Sequence, residues 1–291
     1  MRHHRWIHAA LALGALLPFS PAGRAEELPD RSAEPYLGAI VLDAETGATL
    51  FEDHAAASGY PASIVKLMNL LLVLEQVERG ALSLNDPITV AAEASTIGGS
   101  QVYLKEHEVF TVDELLYAVI VQSANDAATA LALRIGGTKD GFARLMTERA
   151  RELGMTATQF NSVHGLPPGP GQRPDISTAR DLALLCREVL RHPDALRYTS
   201  TRERGFRNDT FVMRSHNPLL GTVEGCDGLK TGYFAKAGFS IAATAARSGR
   251  RVIAVVLGSK DKKIRNAKAA ELLARGFLEL AKKTAPARPT P

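Results

Sequence analysis

The sequence predicts a mixed α/β domain of the α+β type, on three observations. Turn-bounded, β-prone runs gather near the two ends, "LGAIVLDAETGATLFED" early and "GFSIAATAARSGRRVIAVVLGS" late. Helical patterns fill the middle. No internal repeat or linker divides the chain. A sheet assembled from both ends, with a helical lobe over roughly residues 80–200 inserted between them, satisfies all three.

The first 25 residues stand apart from this domain. "MRHHRWIH" is basic, "AALALGALLPF" is apolar, and "SPAGRA" places Gly23 and Ala25 before a cleavage point, the three-part pattern of a secretory signal peptide. Eleven apolar residues are too few to span a bilayer as a helix. Cleavage after Ala25 removes Arg2, Arg5 and Arg24 and no acidic residue, so 35 basic residues less three leaves 32 against 31 acidic. A near-neutral mature chain argues against nucleic acid or an acidic membrane as partner, whatever the sequence pI of 9.1 suggests.

Within residues 26–283 the elements follow in order. Glu45-Thr46-Gly47 separates two β-prone runs and predicts a hairpin. "YPASIVKLMNLLLVLEQVERG" predicts a helix over 63–79 that is apolar all round, hence buried. Residues 80–110 are mixed, with "GGS" at 98–100. Thr111 and Glu114 make a capping box for "TVDELLYAVIV". "ANDAATALALRIGG" and "KDGFARLMTERARELGM" continue the helical reading. "GLPPGPGQRPD" is loop, and Ser177-Thr178 caps "ARDLALLCREVLRH". Then come strands at "DTFVMRS", "GLKTGY" and the pair joined by "RSGR", an amphipathic helix, and a disordered tail over 284–291. Two cysteines permit one disulfide, but Cys186 lies in the apolar stripe of its helix and reads as core.

The buried helix raises a chemical question. Ser63, Lys66 and Asn69 recur every third residue and form a polar stripe on an apolar cylinder. Burial disfavours the charged form of a lysine and lowers its pKa. Such an amine can take the proton of a neighbouring serine, and a serine at a helix start lies where unpaired N–H groups favour developing negative charge. The plainer reading is a capping serine and a snorkelling lysine. S-x-x-K alone does not decide between them. Two further stretches do: "VIVQSANDAA", with Ser123 and Asn125 between two apolar helices, and "CDGLKTGYFAKAGFS", with Lys230-Thr231-Gly232 on an expected edge strand. S-x-x-K, S-x-N and K-T-G boxes in this order are a known set in penicillin-binding proteins and class A β-lactamases.

Over nearly all of residues 35–280 the chain resembles the low-molecular-weight penicillin-binding proteins, the D-alanyl-D-alanine carboxypeptidases. "LDAETGATLFEDHAAASGYPASIVKLM", "GGSQVYLKEHEVFTVDELLYAVIVQSANDAA", "ISTARDLALL" and "HNPLL" carry the likeness beyond the boxes. The resemblance implies a β-lactamase/transpeptidase-like fold, with a five-stranded antiparallel sheet flanked by helices, an all-helical lobe and a cleft between them. It implies Ser63 as nucleophile, Lys66 as general base and Ser123 as proton relay. It implies substrate binding by Asn125, Lys230, Thr231, Gly232, Tyr233 and Arg265, with the Ser63 and Tyr233 N–H groups as oxyanion hole. The implied partners are peptidoglycan stem peptides, with β-lactam antibiotics as covalent inhibitors. No cofactor and no metal is implied. Val65, Ala124 and Tyr233 depart from the family's commoner Thr, Gly and His. Many relatives add a β-rich domain and a C-terminal membrane helix. The short remainder after the domain leads us to expect a periplasmic or secreted enzyme without a stable membrane anchor.

Competing readings are weaker. A β-lactamase needs a carboxylate to activate its deacylating water, and no E-x-x-L-N box lies between Asn125 and Lys230. A Ser-His-Asp hydrolase could use His164 or His216, but there is no G-x-S-x-G elbow and both histidines sit in loop-like contexts expected at the surface. H-E-x-x-H is absent. A catalytically dead wall-binding module would not be expected to keep all three boxes. Within the family, D,D-endopeptidase and D,D-transpeptidase activities on cross-links stay open beside the carboxypeptidase.

Overall fold

The structure, a computed structural model, describes residues 35–284. The expected signal peptide and the tail beyond Thr284 lie outside the described residues. Strands β1 (Gly38–Asp43) and β2 (Thr49–Asp53) form the first hairpin. Its turn is fixed by Asp43, whose carboxylate accepts from the Glu45 N–H at 3.1 Å and the Thr46 hydroxyl at 2.8 Å. A 3-10 turn (Ala62–Val65) then leads into α1 (Lys66–Glu78). The sequence predicts one helix from 63. Ala62 instead takes a left-handed backbone (φ 49) after Pro61, so the first turn winds tighter and Lys66 opens the α-helix proper.

The middle of the chain is mainly helical. The short pieces β3 (Pro87–Thr89), α2 (Ala92–Ser95) and β4 (Val109–Thr111) precede α3 (Val112–Ile120). The capping box forms: Thr111 Oγ1 accepts from Glu114 N–H at 3.2 Å, and the Glu114 carboxylate accepts from Thr111 N–H at 2.8 Å. Helices α4 (Asn125–Gly136), α5 (Lys139–Glu152), α6 (Ala179–Val189) and α7 (Ala195–Thr199) follow, α6 being capped by Thr178. Beyond α7, β5 (Glu203–Phe206) pairs with β6 (Phe211–Arg214). The sequence does not announce β5, because "ERGF" has a charged start and lacks alternation. Strands β7 (Cys226–Phe234), β8 (Gly238–Arg247) and β9 (Arg250–Ser259) and helix α8 (Lys262–Thr284) complete the order.

The main sheet runs β2-β1-β9-β8-β7, every pair antiparallel. Its centre joins the chain's two ends: Gly38 opposes Leu257 and Asp43 opposes Val252. Both faces are covered, so the central strands read as continuous apolar runs rather than alternating ones. On β1, Ala39 and Val41 face a cluster with Leu272, Leu273 and Leu280 of α8, while Ile40 and Leu42 face the larger core shared with α1 and α6. The first part of α1 is apolar on every side but for Lys66 and Asn69 because it sits inside that larger core: Leu67 to Val73 are buried without a break. Strand β7 is the sheet's edge, and it lies against the 3-10 turn. Cys186 is buried and both cysteines are free. Among the described residues no helix is long and apolar enough to cross a membrane.

Candidate active site

The three boxes converge at the contact between the 3-10 turn, the start of α4 and the edge strand β7. Lys66, the first residue of α1, is wholly buried. Its Nζ lies 3.0 Å from Ser63 Oγ, 2.7 Å from Asn125 Oδ1 and 2.6 Å from the His164 carbonyl oxygen. Amide and carbonyl oxygens only accept. A neutral amine has two N–H bonds and one lone pair. Asn125 and His164 take the two donors, which leaves the lone pair facing Ser63. Burial first, then the charge of Lys230, holds the Lys66 amine well below the usual lysine range, with Asp175 and Asp126 opposing.

Asn125 is fixed from both sides. Its Nδ2 donates to the Gly98 carbonyl at 2.7 Å and its backbone N–H to the Ser100 carbonyl at 2.7 Å. Asp126 accepts from the N–H groups of Val102 and Leu104, at 3.2 and 2.9 Å, and of Ala127 at 2.9 Å. Neighbouring side chains on α4 thus hold the 98–104 segment as one wall. Ser123 precedes them with a left-handed backbone (φ 61). With Ala62, it is a non-glycine residue in a strained region bordering the site, a place where such outliers gather.

Between this wall and β7 lies a cavity of about 260 Å³. Ser63, Ser100, Ser123 and His216 line it together with Thr231, Gly232 and Tyr233 of β7, Phe239 of β8, and Lys262 and Arg265 of α8. Gly232 is the point of closest approach: a Cβ there would stand 2.5 Å from the Pro61 carbonyl oxygen and 3.1 Å from the Ser63 nitrogen. Tyr233 is exposed at the rim, its ring stacked on Phe239 at 4.1 Å. Lys230 is buried, and burial first and Arg265 second bring its amine down to about 7. Arg265 is buried in the wall, its guanidinium turned to Asn266 Oδ1 at 2.7–2.9 Å. Burial lowers it to about 10, so it stays charged at neutral pH. The lining carries no carboxylate, so the cavity suits an anion.

The structure brings all nine predicted site residues to this one place and adds several more. Ser100 and the His164 carbonyl had no chemical pattern to mark them, since backbone groups carry no residue signature. Of the two histidines expected at the surface, His216 is exposed and His164 is not. His164 is buried; its Nδ1 accepts from Leu166 N–H at 3.2 Å, and burial and Lys66 lower it to about 3. His216 keeps an open face on the cavity, yet partial burial and then Lys230, Lys66 and Arg265 lower it to about 4. Both are neutral at pH 7. Away from this site, Glu75, Glu188 and His192 stand close enough to share an ion. Arg149 already bonds Glu75 at 2.8 Å and Glu188 at 2.9 Å, so the cluster is an ion-pair network.

A five-stranded antiparallel sheet whose edge strand faces a serine and a buried lysine is the architecture of the penicillin-binding, transpeptidase-like enzymes. A family model described as D-alanyl-D-alanine carboxypeptidase, peptidase S11, matches residues 25–261. The chain belongs to that family. It is 32% identical to D-alanyl-D-alanine carboxypeptidase DacF of Bacillus subtilis, over 90% of this chain and 68% of that one. It is 34% identical to DacC of Escherichia coli, over 95% of this chain and 70% of that one. Among solved structures, penicillin-binding protein D2 of Listeria monocytogenes in its ampicillin-bound form superposes with a TM-score of 0.75 at 33% identity, covering 84% of this chain and 97% of that one.

Proposed function

We propose that the chain is a serine-type D-Ala-D-Ala carboxypeptidase that removes the terminal D-alanine of peptidoglycan pentapeptides through an acyl-enzyme on Ser63. The observation that carries this is the placement of a fully buried Lys66 amine 3.0 Å from Ser63 Oγ, its two other contacts being acceptors. Lys66 takes the Ser63 proton as Oγ bonds to the carbonyl carbon of the penultimate D-Ala. The oxyanion is received by the N–H groups of Ser63 and Tyr233, a type of contact worth about 3–4 kcal/mol per donor. Collapse breaks the C–N bond, and Ser123 relays the proton from Lys66 to the leaving amine. Water then attacks the ester carbonyl, its proton passing to Lys66, and Ser63 recovers its own. The terminal carboxylate is held by Thr231 and Arg265 under the charge of Lys230. β-Lactams enter by the same attack on the lactam carbonyl and remain as slowly hydrolysed esters.

The leader-like "MRHHRWIHAALALGALLPFSPAGRA" supports a periplasmic or secreted location, where stem peptides are found. Mass analysis of muropeptides after incubation with the enzyme tests the reading. Loss of one D-alanine from pentapeptides is expected. Conversion of cross-linked dimers to monomers without that loss would replace it with a D,D-endopeptidase.

A further inference from the structure

Residues 161–165 form a turn held from behind by a carboxylate that none of the three boxes includes. Asp175 is 6% exposed. Its Oδ1 accepts from the N–H groups of Asn161 at 2.6 Å and Ser162 at 2.8 Å, and its Oδ2 from the Ser162 hydroxyl at 2.6 Å. The Ser162 oxygen accepts in turn from Gly165 N–H at 2.9 Å. Asn161 Nδ2 ties the same turn to the Pro174 carbonyl at 2.8 Å.

The other side of the turn faces the reacting groups. The His164 carbonyl receives Lys66 Nζ, and the Val163 carbonyl receives Asn69 Nδ2 at 3.4 Å. Gly165 packs so tightly that a Cβ there would stand 2.1 Å from the Ala62 carbonyl oxygen, one residue before the serine. Five residues therefore separate a buried carboxylate from the amine, with hydrogen bonds at both ends. The turn cannot shift away from Asp175 without carrying the His164 carbonyl away from Lys66.

We propose that Asp175, acting through Ser162, is a positioning residue for Lys66: it sets the 161–165 turn so that the His164 carbonyl aims the amine at Ser63. This rests on Lys66 being the base. The carboxylate also acts on the amine by charge. The ionisable groups around Lys66 are Lys230 from β7, brought down to about 7, Asp126 from α4, and Asp175, which burial raises to about 6 so that it is ionised at pH 7, while His164 and His216 are neutral there. Removing Asp175's negative charge favours the neutral amine and lowers the Lys66 pKa further.

Acylation rate constants with a fluorescent penicillin, measured from about pH 5 to 9, test the proposal. Asp175→Asn keeps an oxygen for the two backbone donors but loses the charge and the acceptor for the Ser162 hydroxyl. It is expected to acylate about tenfold more slowly at pH 7, with little change in the concentration for half-saturation, and to move the acid limb to lower pH. Ser162→Ala is expected to lose a similar factor, with a smaller movement of the limb. Should Asp175→Ala fail to fold by circular dichroism, these two milder variants carry the result. Wild-type rates and an unmoved limb in both would overturn the proposal. So would a slower rate with an unmoved limb and weaker binding, which would make the contact merely structural. Ser63→Ala, run alongside, separates the two readings: labelling that survives it refutes the acyl-enzyme itself, whatever Asp175 does.

Discussion

Gly232 and Ser63 meet backbone to backbone. A Cβ on Gly232 would stand 3.1 Å from the Ser63 nitrogen and 2.5 Å from the Pro61 carbonyl oxygen, and neither atom belongs to a flexible side chain. Gly232→Ala must therefore push β7 and the 3-10 turn apart by several tenths of an ångström, moving the two N–H groups assigned to the oxyanion. We expect acylation by penicillin to fall about a hundredfold, the scale of a small misplacement of reacting groups. Labelling kinetics check this, and a variant that acylates normally would remove Gly232 from the site.

Lys66 and Lys230 are buried like charges, so they titrate as a pair with two apparent values. With Lys66 as the proposed base, activity is expected to fall as pH drops through its lowered value. The charge on Lys230 fades as pH rises past about 7 in the free enzyme. A bell-shaped kcat/KM profile is expected. Lys230→Met should remove the alkaline limb. Without the neighbouring positive charge the Lys66 pKa rises, so the acid limb should move to higher pH, opposite to the shift expected for Asp175→Asn.

Asn125 joins Lys66 to the Gly98 carbonyl. Asn125→Ala leaves the amine one acceptor short and frees the 98–100 wall. A fall in acylation of about ten- to a hundredfold is expected. Asn125→Asp should act differently: a carboxylate 2.7 Å from the amine would favour its charged form and move the acid limb upward in pH. Stopped-flow acylation across pH distinguishes the two.

On the proposed reading Arg265, which lines the cavity, holds the substrate's terminal carboxylate. Arg265→Ala should raise KM and cut kcat/KM by about ten- to a hundredfold, matching about 1.5–3 kcal/mol for a charged hydrogen bond. With a depsipeptide whose terminal carboxylate is amidated, the wild-type and variant rates should converge. A constant ratio would show that Arg265 acts only through packing.

Asp126 is buried and accepts from three backbone N–H groups. Asp126→Ala leaves them without acceptors at about 1–3 kcal/mol for each one that water cannot reach. A loss of about 3 kcal/mol in chemical denaturation is expected, with slower acylation because the 98–104 wall loosens.

Much of the site was legible because its chemistry needs particular side chains at fixed spacing. Ser63 and Lys66 stand one helical turn apart, and Lys230-Thr231-Gly232 marked the edge strand that faces them. The sheet was legible because its strands are continuous apolar runs and its ends carry turn residues. What escaped were features set by backbone or by contacts distant in sequence. The His164 carbonyl has no residue signature. Asp175 lies in a Pro- and Gly-rich stretch that reads only as loop, and its partners become visible once the turn has folded back. The sequence predicts α1 from Ser63 and the structure opens it at Lys66, because a left-handed Ala62 is not foreseeable from propensity. His216 is exposed as its loop suggests, whereas His164 is buried because other segments pack over it, which its own neighbours in sequence do not reveal.

The sheet order also sets a timetable for synthesis. Strand β1 lies between β2 and β9, so one whole side of it waits for residues 252–257. The edge strand that closes the cavity is itself made only at residues 226–234. Pairings across more than two hundred residues form late and slowly. A nascent chain therefore carries Ser63 and Lys66 long before it has an active centre, and any chain cut short of β7 should be inert rather than partly active.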